Sequence, residues 1–273
     1  MVGLDLFDLR DRPVAITGAG GLLGQEHALA VGRAGGIPVL LDISAEAIEV
    51  AVGRLESESL PYLALRVDLT RPDEIADAAS SIQHQLGHTW GLINNLAANP
   101  SMNFDEESNG RLETFLLTQW DSDIRVGLTS AFLCAQHFGA QMVKAGSGSI
   151  VNVASDLAII SPDNRIYATG RDDKTDKPVK PVSYSTVKSG LLGLTRYLAT
   201  YWTPIPIRCN ALLPGSVYGT QSDLLKKELK ARIPMARLAE PNEYQGAIIF
   251  LLSDASSYMT GASLVIDGGR TTW

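Results

Sequence analysis

Pro13-Val14-Ala15-Ile16-Thr17-Gly18-Ala19-Gly20-Gly21-Leu22-Leu23-Gly24 decides the fold. Its first five residues form an uncharged run of strand length, the glycines after them make a tight turn, and the segment to about Gly35 is helical in pattern. A glycine pattern is weak on its own and informative between a strand and a helix. Missing side chains let backbone approach a pyrophosphate, and the N–H groups and dipole of a helix start favour its negative charge. Gly18, Gly21, Leu22, Leu23 and Gly24 are therefore the candidate phosphate-binding residues. A second strand, Ile37 to Leu41, ends in Asp42, 24 residues after Gly18. A carboxylate there can accept hydrogen bonds from the adenosine ribose hydroxyls and would repel a 2′-phosphate, which points to NAD over NADP. The plainer role for Asp42 is to cap the helix expected over Ala45–Leu55.

Outward from this unit, Tyr62 to Val67 reads as a third strand, followed by Asp68-Leu69-Thr70. A fourth, Trp90 to Ile93, is followed by Asn94-Asn95-Leu96-Ala97-Ala98. Between them, Pro72–Leu86 carries Ile75, Ala79, Ile82 and Leu86 on one helical face. Alternating strand and helix predicts an α/β domain with a doubly wound parallel sheet. The carboxyl ends of such strands border a crevice. Asp68 is placed there to meet an adenine amino group and Asn95 to brace the adenosine loops, with Leu69 and Ala97 beside them.

The chain has 273 residues, is 45% hydrophobic and 19% charged, and shows no Pro/Gly/Ser-rich linker, which fits a single domain over 1–273. Its formal charge of −7 argues against binding nucleic acid through phosphate neutralisation. The opening residues lack the continuous apolar run of a secretory signal or membrane anchor. Cys134 and Cys209 sit far apart in apolar segments, as reduced core thiols of a cytoplasmic protein would. His27, His84, His88 and His137 show no metal-ligand spacing, so no metal is expected.

A second decisive stretch is Tyr184-Ser185-Thr186-Val187-Lys188, near the start of a helix expected to run to about Tyr201. Leu191, Leu194, Leu198 and Trp202 recur on one face of it. Residues four apart on a helix share a side, so Tyr184 and Lys188 present a phenol and an ammonium together. A nearby positive charge favours phenolate and would let this tyrosine exchange protons near neutral pH. Alone, such a pair more often merely flanks a buried helix; the nucleotide half and a hydroxyl partner give it weight. Ser149 to Val153 supplies that partner, a strand leading to Ser155, and a further strand, Ile207–Leu213, leads into Pro214-Gly215-Ser216-Val217.

TGAGGLLG, DLT at 68–70, NNLA, NVAS, YSTVK, NALLPGSV and the ending YMTGASLVIDGG occur here in one order and spacing. Together they resemble the short-chain dehydrogenase/reductase family over nearly the whole chain. The resemblance implies a Rossmann sheet of about seven strands in the order 3-2-1-4-5-6-7, the last being Ser263–Ile266. It implies an NAD-dependent alcohol/ketone oxidoreductase in which Tyr184 moves the proton, Lys188 binds nicotinamide ribose, and Ser155 orients the reacting oxygen. It also implies that the backbone at Gly215 and Val217 positions the carboxamide, and that the protein is a homo-oligomer, a tetramer or dimer. A relative that epimerises or dehydrates with tightly held NAD, or one that only senses NAD, are the other readings. Four departures from the family pattern stand out: Leu22 replaces the second motif glycine, NNLA replaces NNAG, Gly127 stands where a catalytic Asn is usual, and Gly219 stands where a Thr is usual.

Ser155 and Tyr184 are 29 positions apart, against about a dozen common in that family, and long connections of this kind are often functional. The extra length, 161–181, mixes Arg165, Arg171, Lys174, Lys177 and Lys180 with four aspartates. Arg165 and Arg171 are the candidate grips on an anionic or polyhydroxylated small-molecule substrate, and a charge-balanced surface loop is the equal alternative. A second stretch, 218–232, is expected to form a lid. The insertion together with VGLTSAFLC and RYLATYW also resembles a subgroup linked to surface-polysaccharide and flagellin sugar modification, which implies a sugar or sugar derivative as substrate.

Overall fold

Why these strands can be almost purely apolar follows from where they lie. In the computed structural model, which describes residues 4–97, 110–168 and 178–273, they form one sheet covered on both faces. The strands are β1 (Pro13–Thr17), β2 (Ile37–Asp42), β3 (Leu63–Arg66), β4 (Gly91–Asn94), β5 (Gly148–Val153), β6 (Ile207–Pro214) and β7 (Ser263–Ile266). All pair in parallel, in the order β3-β2-β1-β4-β5-β6-β7. The helices are α1 (Leu22–Arg33), α2 (Ala45–Glu56), α3 (Pro72–Leu86), α4 (Leu117–Ile124), α5 (Ser130–Ala145), α6 (Val182–Tyr201), α7 (Asp223–Lys230) and α8 (Gln245–Leu252).

Successive side chains of β1 enter different cores. Val14 and Ile16 join Leu40, Ile93 and Val151 against Leu29 of α1 and Ile248 and Leu251 of α8. Ala15 joins Val39, Leu41, Leu92 and Ile150 against Ile75 and Ile82 of α3, Phe138 and Met142 of α5, and Leu198 of α6. A strand buried on both sides has no reason to alternate with polar residues, and this is what the continuous apolar runs record. The chain winds from β1 to β3 in one direction and from β4 to β7 in the other. The carboxyl ends of β1 and β4 therefore diverge, opening the crevice where the site lies.

The glycine turn holds despite Leu22. Gly18 adopts φ +62°, a conformation that side chains disfavour. A Cβ at Gly24 would run into the Gly18 carbonyl oxygen, so α1 can seat against the turn only without one. Leu22 opens α1 and is 53% exposed, so its side chain projects outward and leaves that packing alone. On α6, Leu191 and Leu198 are buried and Leu194 half-buried, which assigns this face to the internal core. Cys134 and Cys209 are buried and unpaired, and burial pushes the Cys134 thiol up to about 12. Among the described residues, no helix is long and apolar enough to cross a membrane.

His27 lies on α1 beneath the turn, fully buried. Asn95 stands close enough to act on its ring, yet neither ring nitrogen completes a hydrogen bond of good geometry. Burial dominates and lowers its pKa from 6.5 to about 4. A histidine held neutral in the fold and free to charge when unfolded makes stability fall as pH drops from about 6.5 toward 4. The share of that loss due to His27 is about 3 kcal/mol. Urea denaturation of wild type and His27→Leu at pH 7 and pH 5 should show the variant losing less stability on acidification; equal slopes would contradict this account.

Candidate active site

A cleft of about 1030 Å³ opens at the carboxyl edge of the sheet. Of the residues singled out in the sequence, Gly18, Gly21, Leu22, Leu23, Asp42, Asn95, Ala97, Ser155, Tyr184, Lys188, Gly215 and Val217 line it. Gly24, Asp68 and Leu69 do not. Gly24 packs under the turn, Leu69 is buried in the core, and the Asp68 carboxylate accepts hydrogen bonds from the Thr70 N–H (2.9 Å) and hydroxyl (2.7 Å). Both bonds fall on Oδ1 and tie that oxygen to its own loop.

Asp42 is fixed on both oxygens: Oδ2 accepts from the Gly20 N–H at 3.0 Å and Oδ1 from the Ser44 N–H at 3.1 Å. Helix α2 takes its N-cap from Ser44, whose hydroxyl accepts from the Ala47 N–H. The capping role considered for Asp42 therefore falls to Ser44. Asn95 donates through Nδ2 to the carbonyls of Thr17 and Gly18, both at 3.2 Å, and locks the β4 loop to the glycine turn. The start of α1, a fixed carboxylate at the end of β2 and a braced loop form a donor and acceptor set that fits a dinucleotide.

At the other end, Ser155 follows β5 and caps a short turn of 3-10 helix, accepting from the Leu157 N–H at 3.2 Å. Its hydroxyl donates to Asp156 Oδ1 at 2.9 Å, and Asp156 Oδ2 receives Arg270 Nη1 at 2.8 Å. That ion pair is almost wholly out of solvent and ties β5 to the tail beyond β7. Burial raises the Asp156 pKa, against the lowering influence of Arg270 and of its hydrogen bonds. Tyr184, on the first turn of α6, stands close enough to Ser155 for that hydroxyl to act on its phenol.

The tyrosine does not carry the lowered pKa expected from its lysine neighbour. Burial raises it and the Asp156 charge raises it further, while the Ser155 contact opposes both. Lys188 explains part of the difference. Its ammonium lies 5.8 Å from the centre of the Tyr184 ring and donates to the Val153 carbonyl at 2.7 Å. Burial, with the Lys180 charge adding, lowers its own pKa to about 8. Two groups competing for the same dry space each lose charge.

Of the two arginines singled out in the insertion, one falls among the described residues. Arg165 is 82% exposed and grips Asp163 through Nε at 2.7 Å and Nη2 at 3.0 Å, away from the cleft. Arg171 lies outside the described residues. Lys180 reaches the cleft instead, its Nζ 3.9 Å from the Tyr184 ring centre. Asp156, Tyr167 and Arg270 also line it and were missed. The only sequence signal for Asp156 was its position after Ser155; Arg270 is 114 residues away and gave none.

The expected lid is a docked helix. Ser222 caps α7, and Leu225 and Leu229 pack on Ile166, Tyr167, Ile233 and Leu238. Arg232 adds a bond to Asp163 at 2.7 Å, linking this stretch to the insertion. Gly127 sits in a π turn, Arg125–Thr129, where an added Cβ would stand 2.5 Å from Val187 Cγ1. Val187 thus fills the space a side chain at 127 would need. One turn earlier, buried Asp123 accepts from Ser183 and from Gln119 Nε2, joining α4 to α6.

Two family profiles match this chain. One, described as short chain dehydrogenase, covers residues 12–170, and one described as enoyl-(acyl carrier protein) reductase covers 177–271. An NAD-dependent glycerol dehydrogenase of Listeria innocua is 30% identical over 97% of this chain and 96% of its own. A cis-4-hydroxycyclohexanecarboxylate dehydrogenase of Sinomonas cyclohexanicum is 32% identical over 96% of this chain and 97% of its own. The crystal structure of a gluconate 5-dehydrogenase from Burkholderia cenocepacia, in complex with NADP and tartrate, has a TM-score of 0.85 at 25% identity, covering 99% of both chains.

Removing one partner of the buried Asp156–Arg270 pair leaves an uncompensated charge. Arg270→Met should cost about 3–5 kcal/mol, and the double variant Asp156→Asn/Arg270→Met should recover most of it. Chemical denaturation of the single and double variants checks this; additive losses would refute it.

Proposed function

Because the chain belongs to the short-chain dehydrogenase/reductase family, we propose that it interconverts a secondary alcohol and a ketone with a nicotinamide cofactor, NAD(H) in preference to NADP(H). The observation that carries the reading is the convergence of Ser155, Tyr184 and Lys188 on the cleft that the glycine turn and Asp42 also line. A nicotinamide bound there supplies the hydride acceptor or donor. The α1 start, with Gly18, Gly21, Leu22 and Leu23, holds the pyrophosphate, and Gly24 lets the helix sit close enough to do so. Asn95 and Ala97 border the adenosine end. Lys188 binds the nicotinamide ribose, and backbone at Gly215 and Val217 positions the carboxamide.

Tyr184 exchanges a proton with the substrate oxygen while Ser155 orients it. Burial and Asp156 keep this phenol protonated near neutral pH, the state that can donate to a ketone oxygen. Alcohol oxidation needs the deprotonated form, so oxidation gains on reduction as pH rises. The NAD preference rests on Asp42. Each of its carboxylate oxygens accepts from a backbone N–H, which supports a charge held in place against a 2′-phosphate.

The substrate is a polar secondary alcohol, a sugar or sugar derivative. Relatives named for glycerol, a hydroxycyclohexanecarboxylate and gluconate support a hydroxylated compound of this size. The finer assignment to surface-polysaccharide or flagellin sugar modification rests on the insertion and the VGLTSAFLC and RYLATYW segments. A cytoplasmic homo-oligomer completes the reading; on the outer side of α6, Tyr197 and Tyr201 are 61% and 59% exposed with ring centres 5.5 Å apart, a surface suited to a second copy.

NADH absorbance in a screen of polyols, sugars and hydroxy acids tests the reaction. Bound cofactor and turnover without net absorbance change would move the reading to epimerisation or dehydration. With an active substrate, Tyr184→Phe should lower kcat by about 10²–10⁴ while leaving NADH affinity within about threefold; undiminished turnover would sink the assignment. Asp42→Ala should raise the NADP-to-NAD ratio of kcat/KM at least about tenfold, as removing one like-charge contact predicts.

A further inference from the structure

A hydroxyl carries one proton and two lone pairs, and at Ser155 most of these are already spoken for. The Leu157 N–H meets one lone pair at 3.2 Å, and the proton goes to Asp156 Oδ1 at 2.9 Å. One lone pair remains on an oxygen that lines the cleft close to Tyr184.

Asp156 is built to keep that proton. Its Oδ1 also accepts from the Leu157 N–H at 2.8 Å, and its Oδ2 accepts from Arg270 Nη1 at 2.8 Å. A backbone N–H and a guanidinium can only donate, so both oxygens act as acceptors. Burial raises the Asp156 pKa, while Arg270, Ser155 and the Leu157 N–H each favour the carboxylate. The tail fixes Arg270 in place. Gly268 and Gly269 take positive φ, and the Asp267 carboxylate accepts from the Gly269 N–H at 2.9 Å and the Thr271 N–H at 2.7 Å. The Asp156–Arg270 pair is almost wholly out of solvent, where a hydroxyl-to-carboxylate bond has no water to replace it.

This commitment distinguishes the two sides of the reaction. A ketone oxygen has lone pairs only, so Ser155 could serve it as a donor only by turning its proton away from a buried carboxylate. An alcohol brings a proton of its own. It can donate that proton to the remaining lone pair of Ser155 while its oxygen accepts from Tyr184. We propose that Asp156 is a positioning residue that holds the Ser155 proton, so that Ser155 meets the substrate as a hydrogen-bond acceptor and the cleft is preset for the alcohol over the ketone. This rests on the oxidoreductase reading and deepens it. Arg270 supports the arrangement from the far end of the chain.

The test measures dead-end binding to the full chain, alcohol to the NADH complex and ketone to the NAD complex, so no turnover intervenes. The probe pairs are glycerol with dihydroxyacetone, D-glucitol with D-fructose, and D-gluconate with 5-keto-D-gluconate; the pair whose alcohol binds most tightly is carried forward. Ser155→Ala should weaken the alcohol about tenfold, as one lost hydrogen bond implies, and leave the ketone within about threefold. Asp156→Leu/Arg270→Met removes the acceptor together with its counter-ion, and should move the ketone-to-alcohol affinity ratio about tenfold toward the ketone. Asp156→Asn/Arg270→Met keeps an acceptor oxygen and should hold that ratio within about threefold of wild type. A merely structural role would weaken both ligands alike in all three variants. Equal losses for alcohol and ketone in Ser155→Ala, or an unchanged ratio in Asp156→Leu/Arg270→Met, overturn the proposal and leave the oxidoreductase reading standing, as does NADH binding with none of the three alcohols bound. Failure to bind NADH at all overturns both.

Discussion

Desolvation governs this site. Tyr184, Lys188, Lys180 and Asp156 share a small volume from which water is largely withdrawn, and each shifts toward its neutral form with burial as the leading cause. Within it Asp156 and Arg270 form an ion pair almost wholly out of solvent, which anchors the carboxylate at the cleft from the far end of the chain. The same carboxylate accepts from the Ser155 hydroxyl, so the tail beyond β7 is tied to the wall of the cleft.

The departure at Gly127 has a packing explanation. Its π turn brings the backbone against α6, and Val187 occupies the volume that any side chain at 127 would enter. The two positions are complementary, a branched residue facing a missing Cβ. On the same flank buried Asp123, one turn earlier, joins α4 to α6 through Ser183. Loss of the usual asparagine is thus part of a repacked helix contact, with the three convergent side chains on the cleft left in place.

The insertion and the stretch after β6 act as one structure. Ile166 and Tyr167 pack with Leu225 and Leu229, and Asp163 bonds both Arg165 and Arg232. Two arginine partners hold the Asp163 carboxyl well below its usual range. Of the insertion's charged residues that the structure describes, Asp163 and Arg165 serve this seam and Lys180 lines the cleft.

Fold class and most of the cleft were legible without coordinates from short-range pattern, and strand order from the family resemblance. Apolar runs of strand length, glycines between strand and helix, and a tyrosine and lysine one turn apart keep their meaning wherever the chain goes. Ser44 as the α2 cap and the raised phenol were not legible, because each depends on which neighbour wins a shared hydrogen bond or a shared dry space. Sequence alone determined a doubly wound parallel sheet with a nucleotide turn and a Ser155/Tyr184/Lys188 set. Tertiary structure alone decided which charges are buried, which carboxylate pairs with Arg270 and that Lys180 lies over the Tyr184 ring, since long-range pairing and desolvation exist only once the chain has closed around them.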